Sequence, residues 1–430
     1  MADELGAVDP PRRTFSSRSW AAKPAIPHAC EMRGTLSERP PRCTSNHVYS
    51  GPKQQILRVR SAGLSSGLRI RGQSHLRREL NLQQRERPMA NGTRDRKYWG
   101  FVPPVAAQGI TALAKQAEDQ GLYGLFAAQV WGPPFVPLAV AAGATSRIQL
   151  ASGIAIAAGR SPFETAMTAI DMDRISGGRF ILGLGSSVLA VTRGFFGAPQ
   201  DKPMAHLRET VAAVRHVIRG AHRGLAPFEG RWFNADFAGL APQAPPVRED
   251  IPIWIAGLRG TAIRLGAEIA DGVMGHPIWS VDWAVNRVQD DLKAGLQKGG
   301  RRREDVHLNL AFFVAINPNV REAVEDARTT VAFYASAVEY EPFFDAHGFG
   351  AQARRLHGRG GIGTPANFAE LVPDDMVRTF AICGSPDDVR RQVERAWTVA
   401  DSIWLAPPGW GLSPEKSVHY GQQIARVFYA

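Results

Sequence analysis

From Tyr98 onward the chain alternates short apolar runs with segments whose apolar positions recur every three or four residues. Runs of the first kind read as strands buried on both faces, and segments of the second kind as amphipathic helices. The pattern predicts strands over 98–102, 124–128, 148–156, 180–182, 251–256, 272–275, 307–316 and 402–405. It predicts helices over 105–120, 135–146, 203–219, 260–270 and 282–298, with a long helical excursion over 319–380. Three further helices are announced by their starts. Ser161-Pro162-Phe163-Glu164, Ser385-Pro386 and Ser413-Pro414 each place a capping serine before a proline at the first helical position, and Glu164 can reach back to complete a capping box. The helix after Ser161 stops at Gly177-Gly178, where a left-handed residue carries no Cβ clash. A Pro- and aromatic-rich insertion over 221–250 contains a small hairpin over 228–233.

Eight strands alternating with helices across 97–430 predict an α/β protein, a (β/α)8 TIM barrel with insertions. An open doubly wound sheet would place Gly-x-Gly-x-x-Gly after its first strand. Here Gly183-Leu184-Gly185 is followed by Val188 where the third glycine belongs, and no phosphate-loop Gly-x-x-x-x-Gly-Lys is present.

Residues 1–96 have a different texture: Arg, Ser and Pro dominate, and apart from a short helix over 76–82 no period is sustained. Such a stretch buries too little apolar surface to offset its ordering entropy, so disorder is expected. It is read as translated sequence upstream of a true start at Met89, as a basic tail for an anionic partner, or as a targeting peptide. Asp3, Glu4 and Asp9 count against the last. This segment also explains the net charge of +11. Residues 1–88 hold 16 of the 51 Lys and Arg but 7 of the 40 Asp and Glu, which leaves 35 and 33 in the remainder. The body is therefore nearly neutral and is not expected to bind nucleic acid. No apolar run is long enough for a membrane span. Cys30, Cys43 and Cys383 make neither a disulfide framework nor a zinc site, so a cytoplasmic location is expected.

Barrel enzymes carry their chemistry on the loops after the strands. Ala256-Gly257-Leu258-Arg259-Gly260 joins the fifth strand to a helix. Small residues there let backbone amides approach an anion at a helix start, and Arg259 adds charge. A tight turn that needs glycine is the plain alternative. Gly183, Gly185, Ser186 and Ser187 would line the same cavity. Gln129 ends the second strand and can hydrogen-bond but cannot shuttle a proton. His276, after the sixth strand, has an ordinary pKa suited to proton transfer, or serves as a loop cap. His206 and His216 sit on a helix and read as structural. Trp131, Phe135, Phe195 and Trp279 could form an aromatic pocket wall or simple core. The loop over 358–363 is a lid or a connector.

The run Asp173-Arg174-Ile175-Ser176-Gly177-Gly178-Arg179-Phe180-Ile181-Leu182-Gly183-Leu184-Gly185 resembles the signature of the bacterial-luciferase-like flavin and deazaflavin oxidoreductases. Gly153-Ile154-Ala155-Ile156 ahead of a Ser-Pro helix start, Ala270-Asp271-Gly272 and His276-Pro277 bring the chain nearest to the coenzyme F-420-dependent branch. The resemblance implies hydride transfer between coenzyme F-420 and a small organic substrate. It implies a cofactor phosphate at 256–261 and a ring over the third and fourth strands. It also implies a non-proline cis peptide at Gly153–Ile154, or one residue earlier at Ser152. FMN is the alternative cofactor, in a monooxygenase fed by a partner reductase; a catalytically silent flavin-binding barrel is the second alternative. Dimers are common in that family, so the resemblance allows a homodimer, and the sequence leaves the oligomeric state open. Gln129 departs from the family pattern, in which the second strand often ends in an acid or histidine; His276 is the replacement expected for that group.

Overall fold

The structure, a computed structural model, describes residues 96–129, 132–198, 201–359 and 366–429. The expectations for residues 1–95, for Trp131 and for most of the 358–363 loop lie outside the described residues. The chain opens with β1 (Tyr98–Phe101), α1 (Ala107–Asp119), β2 (Gly124–Ala127), α2 (Phe135–Ala144), β3 (Gln149–Ser152) and β4 (Ala155–Ile156). Then come α3 (Pro162–Ser176), β5 (Phe180–Gly185), α4 (Leu189–Gly194), α5 (Pro203–Gly220) and the hairpin β6 (Phe228–Glu229) with β7 (Asn234–Ala235). The second half runs β8 (Ile253–Gly257), α6 (Gly260–Ile269), β9 (Gly272–Gly275), α7 (Val281–Val285), α8 (Arg287–Gly299) and β10 (His307–Ile316). The excursion holds α9 (Val320–Ala335), α10 (Glu341–Asp345), α11 (Gly350–Leu356) and α12 (Asp374–Phe380). β11 (Ile382–Gly384), α13 (Pro386–Ala396), β12 (Ser402–Ala406) and α14 (Pro414–Phe428) complete the chain.

Parallel pairing runs from β12 to β1, β2, β3, β5, β8, β9 and β10, and from β10 back to β12. Eight strands therefore close into the expected barrel. Several details differ from the sequence reading: α4 was not expected, and the helix read over 282–298 is divided into α7 and α8. The third strand is not continuous: pairing with β5 stops at Ala151 and resumes at Ala155. β11 was not expected, because three residues extending the edge of β10 are too short to show a period.

The register turns alternate residues into the lumen. Trp99, Phe126, Ala151, Ile181, Trp254 and Met274 form a buried cluster there, with Trp99 stacked on Phe126 at 4.0 Å between ring centroids. At the amino ends of the strands the filling is polar. The buried Ser402 hydroxyl accepts from Trp99 Nε1 at 3.0 Å and Asn309 Nδ2 at 2.9 Å, and lies 2.8 Å from His307 Nε2. With both lone pairs used, the hydroxyl proton goes to His307, which is thereby held neutral. Its pKa is pushed down to about 4, chiefly by burial.

Most of the signature run supports this frame. Ser161 caps α3, accepting from Glu164 N–H at 3.1 Å, although the reciprocal glutamate bond of a capping box is not made. Gly177 closes the helix at φ 65°. Arg179 then donates to the carbonyls of Ala142, Thr145, Ile148 and Ser176, tying the end of α2 to the start of β3. Asp173, with no solvent exposure, is held by the Arg248 guanidinium. His216 Nε2 donates to the Ala226 carbonyl at 2.8 Å, and His206 packs edge-on to Trp232, so both anchor the insertion. Among the described residues no helix is long and apolar enough to cross a membrane.

Candidate active site

The carboxyl ends of the strands surround an apolar floor. Trp99, Phe126, Trp254 and Met274 lie beneath it, and the partly exposed Phe101, Ile154, Ala256 and Trp404 form its upper surface. On one side the peptide between Gly153 and Ile154 is cis, at the expected position. Both residues are half-buried and form a ledge at the mouth. The ledge is pinned by the backbone, Gly153 N–H donating to Ala127 O at 2.8 Å and Gln129 N–H to Ile154 O at 3.0 Å.

Side chains replace the ladder bonds that the interruption of the strand removes. Ser152, fully buried, donates its hydroxyl to Gly183 O at 2.8 Å and accepts from Gly183 N–H at 2.9 Å. Its hydroxyl is thus committed to β5 rather than turned to the mouth. A Cβ on Gly183 would land on the Ser152 carbonyl oxygen and 2.8 Å from Met274 Sδ; one on Gly185 would land on the Ile154 side chain. These two glycines make room for the ledge. Just beyond them Ser186 and Ser187 are half-buried at the mouth, and Ser187 adopts φ 58°, a region that costs a non-glycine residue about 1–2 kcal/mol.

Gln129 completes the ledge from β2. Its Oε1 accepts from Ile156 N–H at 2.8 Å and from Arg160 Nη1 at 3.3 Å. Sequence reasoning passed over Arg160, which directly precedes the cap of α3; only folding brings it to Gln129.

Across β5, the loop after β8 leads into α6. Arg259 occupies the N-cap with no side-chain cap bond, and its carbonyl takes the N–H groups of Ala262 and Ile263. Among the described residues no hydrogen bond is made to the Gly260 or Thr261 N–H. The exposed Arg259 side chain stands at this helix start. Trp279 supports the loop from below: it is buried, and its Nε1 donates to Leu258 O at 2.9 Å. It is therefore a brace for the loop rather than part of an open pocket wall. Phe135 is buried beside the cavity next to β2, whereas Phe195 is largely exposed.

His276 follows β9 at the mouth. Its Nδ1 accepts from Ile278 N–H at 3.2 Å, so the neutral ring carries its proton on Nε2, which lies 3.1 Å from the Tyr340 hydroxyl. Tyr334 and Tyr340 pack edge-on against it. Burial pushes its pKa down to about 3, so the ring is neutral at pH 7 and both nitrogens are engaged. This fixes a polar hydrogen-bonding group rather than the near-neutral proton carrier that the unperturbed pKa suggested.

Comparisons with known proteins agree with this fold. A mycobacterial protein (Mycobacterium tuberculosis) bearing the name putative coenzyme F-420-dependent oxidoreductase is 31% identical over 324 residues, covering 70% of this chain and 90% of that one. The 5,10-methylenetetrahydromethanopterin reductase of Methanolobus tindarius is 27% identical over 324 residues, covering 74% of this chain and 95% of the relative. Among solved structures, the coenzyme F-420-dependent tetrahydromethanopterin reductase from Methanopyrus kandleri superposes with a TM-score of 0.64 at 23% identity, covering 78% of this chain and all of that one. The family model described as luciferase-like monooxygenase matches residues 83–400, and the chain belongs to that family.

Proposed function

We propose that this chain transfers a hydride between the deazaflavin coenzyme F-420 and a small organic substrate at the carboxyl-terminal mouth of the barrel. One observation carries the reading. The Gly153–Ile154 ledge and the uncapped start of α6 flank β5, two strand spacings or about 10 Å apart. Such a site suits a flat ring that carries an anionic tail. Phe101, Ile154, Ala256 and Trp404 give the ring an apolar seat and keep water from it. The N–H groups of Gly260 and Thr261, the helix dipole and Arg259 hold the phosphate. When bound, the deazaflavin supplies a carbon centre that gives or accepts hydride. Gln129 holds the ledge in place, and neutral His276 fixes the Tyr340 hydroxyl without itself exchanging a proton at pH 7. The F-420 assignment draws on the mycobacterial relative's name; the family's monooxygenase description favours reduced FMN and oxygen as the second reading.

Fluorescence titration of the full chain with F-420 and with FMN tests the proposal. F-420 is expected to bind more tightly, with Arg259→Ala weakening it at least tenfold. Unchanged affinity in that variant removes the phosphate placement. Oxygen consumption with reduced FMN, and no turnover with reduced F-420, replaces the first reading by the second.

A further inference from the structure

A cavity of about 380 Å³ opens beside the carboxyl end of β2, between α2 and α3. Its lining includes Gln129, Pro133, Phe135, Arg160, Glu164 and Phe196. This volume lies within the range of small-molecule sites. Three of those six side chains are apolar, and Arg160 is the cation among them.

Other half-buried arginines of the barrel have their charge or their donors matched. Arg248 faces the Asp173 carboxylate, Arg264 faces Asp291, and Arg179 spreads its donors over four carbonyls. Arg160 differs. It is half-buried, with its guanidinium carbon 5.1 Å from the centre of the Phe135 ring. Among the described residues its hydrogen bond is to Gln129 Oε1, a neutral acceptor. Glu164 lines the same cavity, yet no ion pair joins it to Arg160 among the described residues. Burial lowers the Arg160 pKa and Glu164 raises it by a smaller amount, so the charge is partly stripped of water with incomplete compensation. A cation in that position is completed by an anion that can use its fork of N–H donors, and a carboxylate fits that fork.

We propose that this cavity is a binding site for the carboxylate of a small organic acid, with Arg160 as the anion's partner and Phe135, Pro133 and Phe196 around its apolar part. Gln129 sets the selectivity: a carboxylate at that position would neutralise Arg160 from within, whereas its amide leaves the charge for a ligand. The same Gln129 oxygen holds Ile156 N–H, so the site shares a side chain with the Gly153–Ile154 ledge. The inference concerns binding alone and stands whichever cofactor the mouth takes.

Isothermal titration of the full chain with benzoate, its neutral isostere benzamide and acetate tests it, without any cofactor. Benzoate is expected to bind saturably, with benzamide and acetate each at least tenfold weaker. R160Q and Q129E are each expected to lose at least tenfold in benzoate affinity, and R160K less. Q129E retains the shape of the site and pairs Arg160 internally, so its loss reports charge rather than misfolding; unchanged circular dichroism melting checks the fold of every variant. Equal affinity for benzoate and benzamide, absence of saturable benzoate binding, or full affinity in folded R160Q overturns the proposal.

Discussion

Arg248 pairs with Asp173 across 75 positions of sequence, and the carboxylate it meets has no solvent exposure. Removing the cation strands a buried charge, so Arg248→Met is expected to cost about 3–5 kcal/mol in urea unfolding. Adding Asp173→Asn to that variant should recover part of the loss, because the stranded charge goes with it. A full additive loss in the double variant would mean that packing, not charge, ties 248 to 173. His276 shows the other side of the same physics. A residue whose ordinary pKa invited a proton-transfer role lies in a half-buried aromatic cluster, and loss of water there lowers its pKa. Nothing in the residue's own neighbourhood of sequence reveals Tyr334 or Tyr340 as its packing partners.

At the scale of elements, the third strand carries the most information. Its apolar run reads as one strand from 148 to 156, but the chain breaks its pairing with β5 at 152–154 and repairs the gap with Ser152 and Gln129. Gly183 is the space that this repair requires. Gly183→Ala would press a methyl group onto the Ser152 carbonyl, which cannot swing aside as a side-chain tip can, so a loss of about 1–3 kcal/mol is expected with weakened cofactor binding. Gly143→Ala is the contrast. Gly143 lies inside α2 with nothing within 4 Å of a new Cβ, and the change should stabilise by about 0.5–1 kcal/mol. Melting of the two variants checks both, and equal melting temperatures would contradict the account of β5. The signature run divides along the same line. Asp173, Gly177 and Arg179 build the helix–turn–strand joint, and only 183–187 reach the mouth.

Two half-buried histidines contribute to the pH dependence of the whole molecule. His307 and His276 stay neutral until about pH 4 and about pH 3, whereas in the unfolded chain both take up a proton near the ordinary value of 6.5. Between those values the unfolded state binds more protons, so stability falls as pH drops from 6.5 towards 4. Each such histidine contributes a slope of up to about 1.4 kcal/mol per pH unit. Urea midpoints at pH 7 and pH 5 should show the decline, and His307→Gln should reduce the slope by about one proton even if it lowers the absolute stability. A pH-independent midpoint would show that neither ring is protected as described.

The order of the elements and the (β/α)8 class were legible in the chain because they rest on local signals: apolar periods, Ser-Pro helix starts and Gly177-Gly178. The cis peptide came from the family resemblance instead, which left Gly153–Ile154 and the bond before it open. The commitments of individual side chains were not, since they depend on partners far away in sequence. Folding assigns Ser152 to Gly183, Trp279 to the Leu258 carbonyl, His276 to Tyr340 and Arg160 to a neutral Gln129. Sequence alone specified which strands line the mouth. Burial and the identity of each distant neighbour decided which groups there keep their charge or their donors for a ligand, because desolvation and hydrogen bonding act through space rather than along the chain.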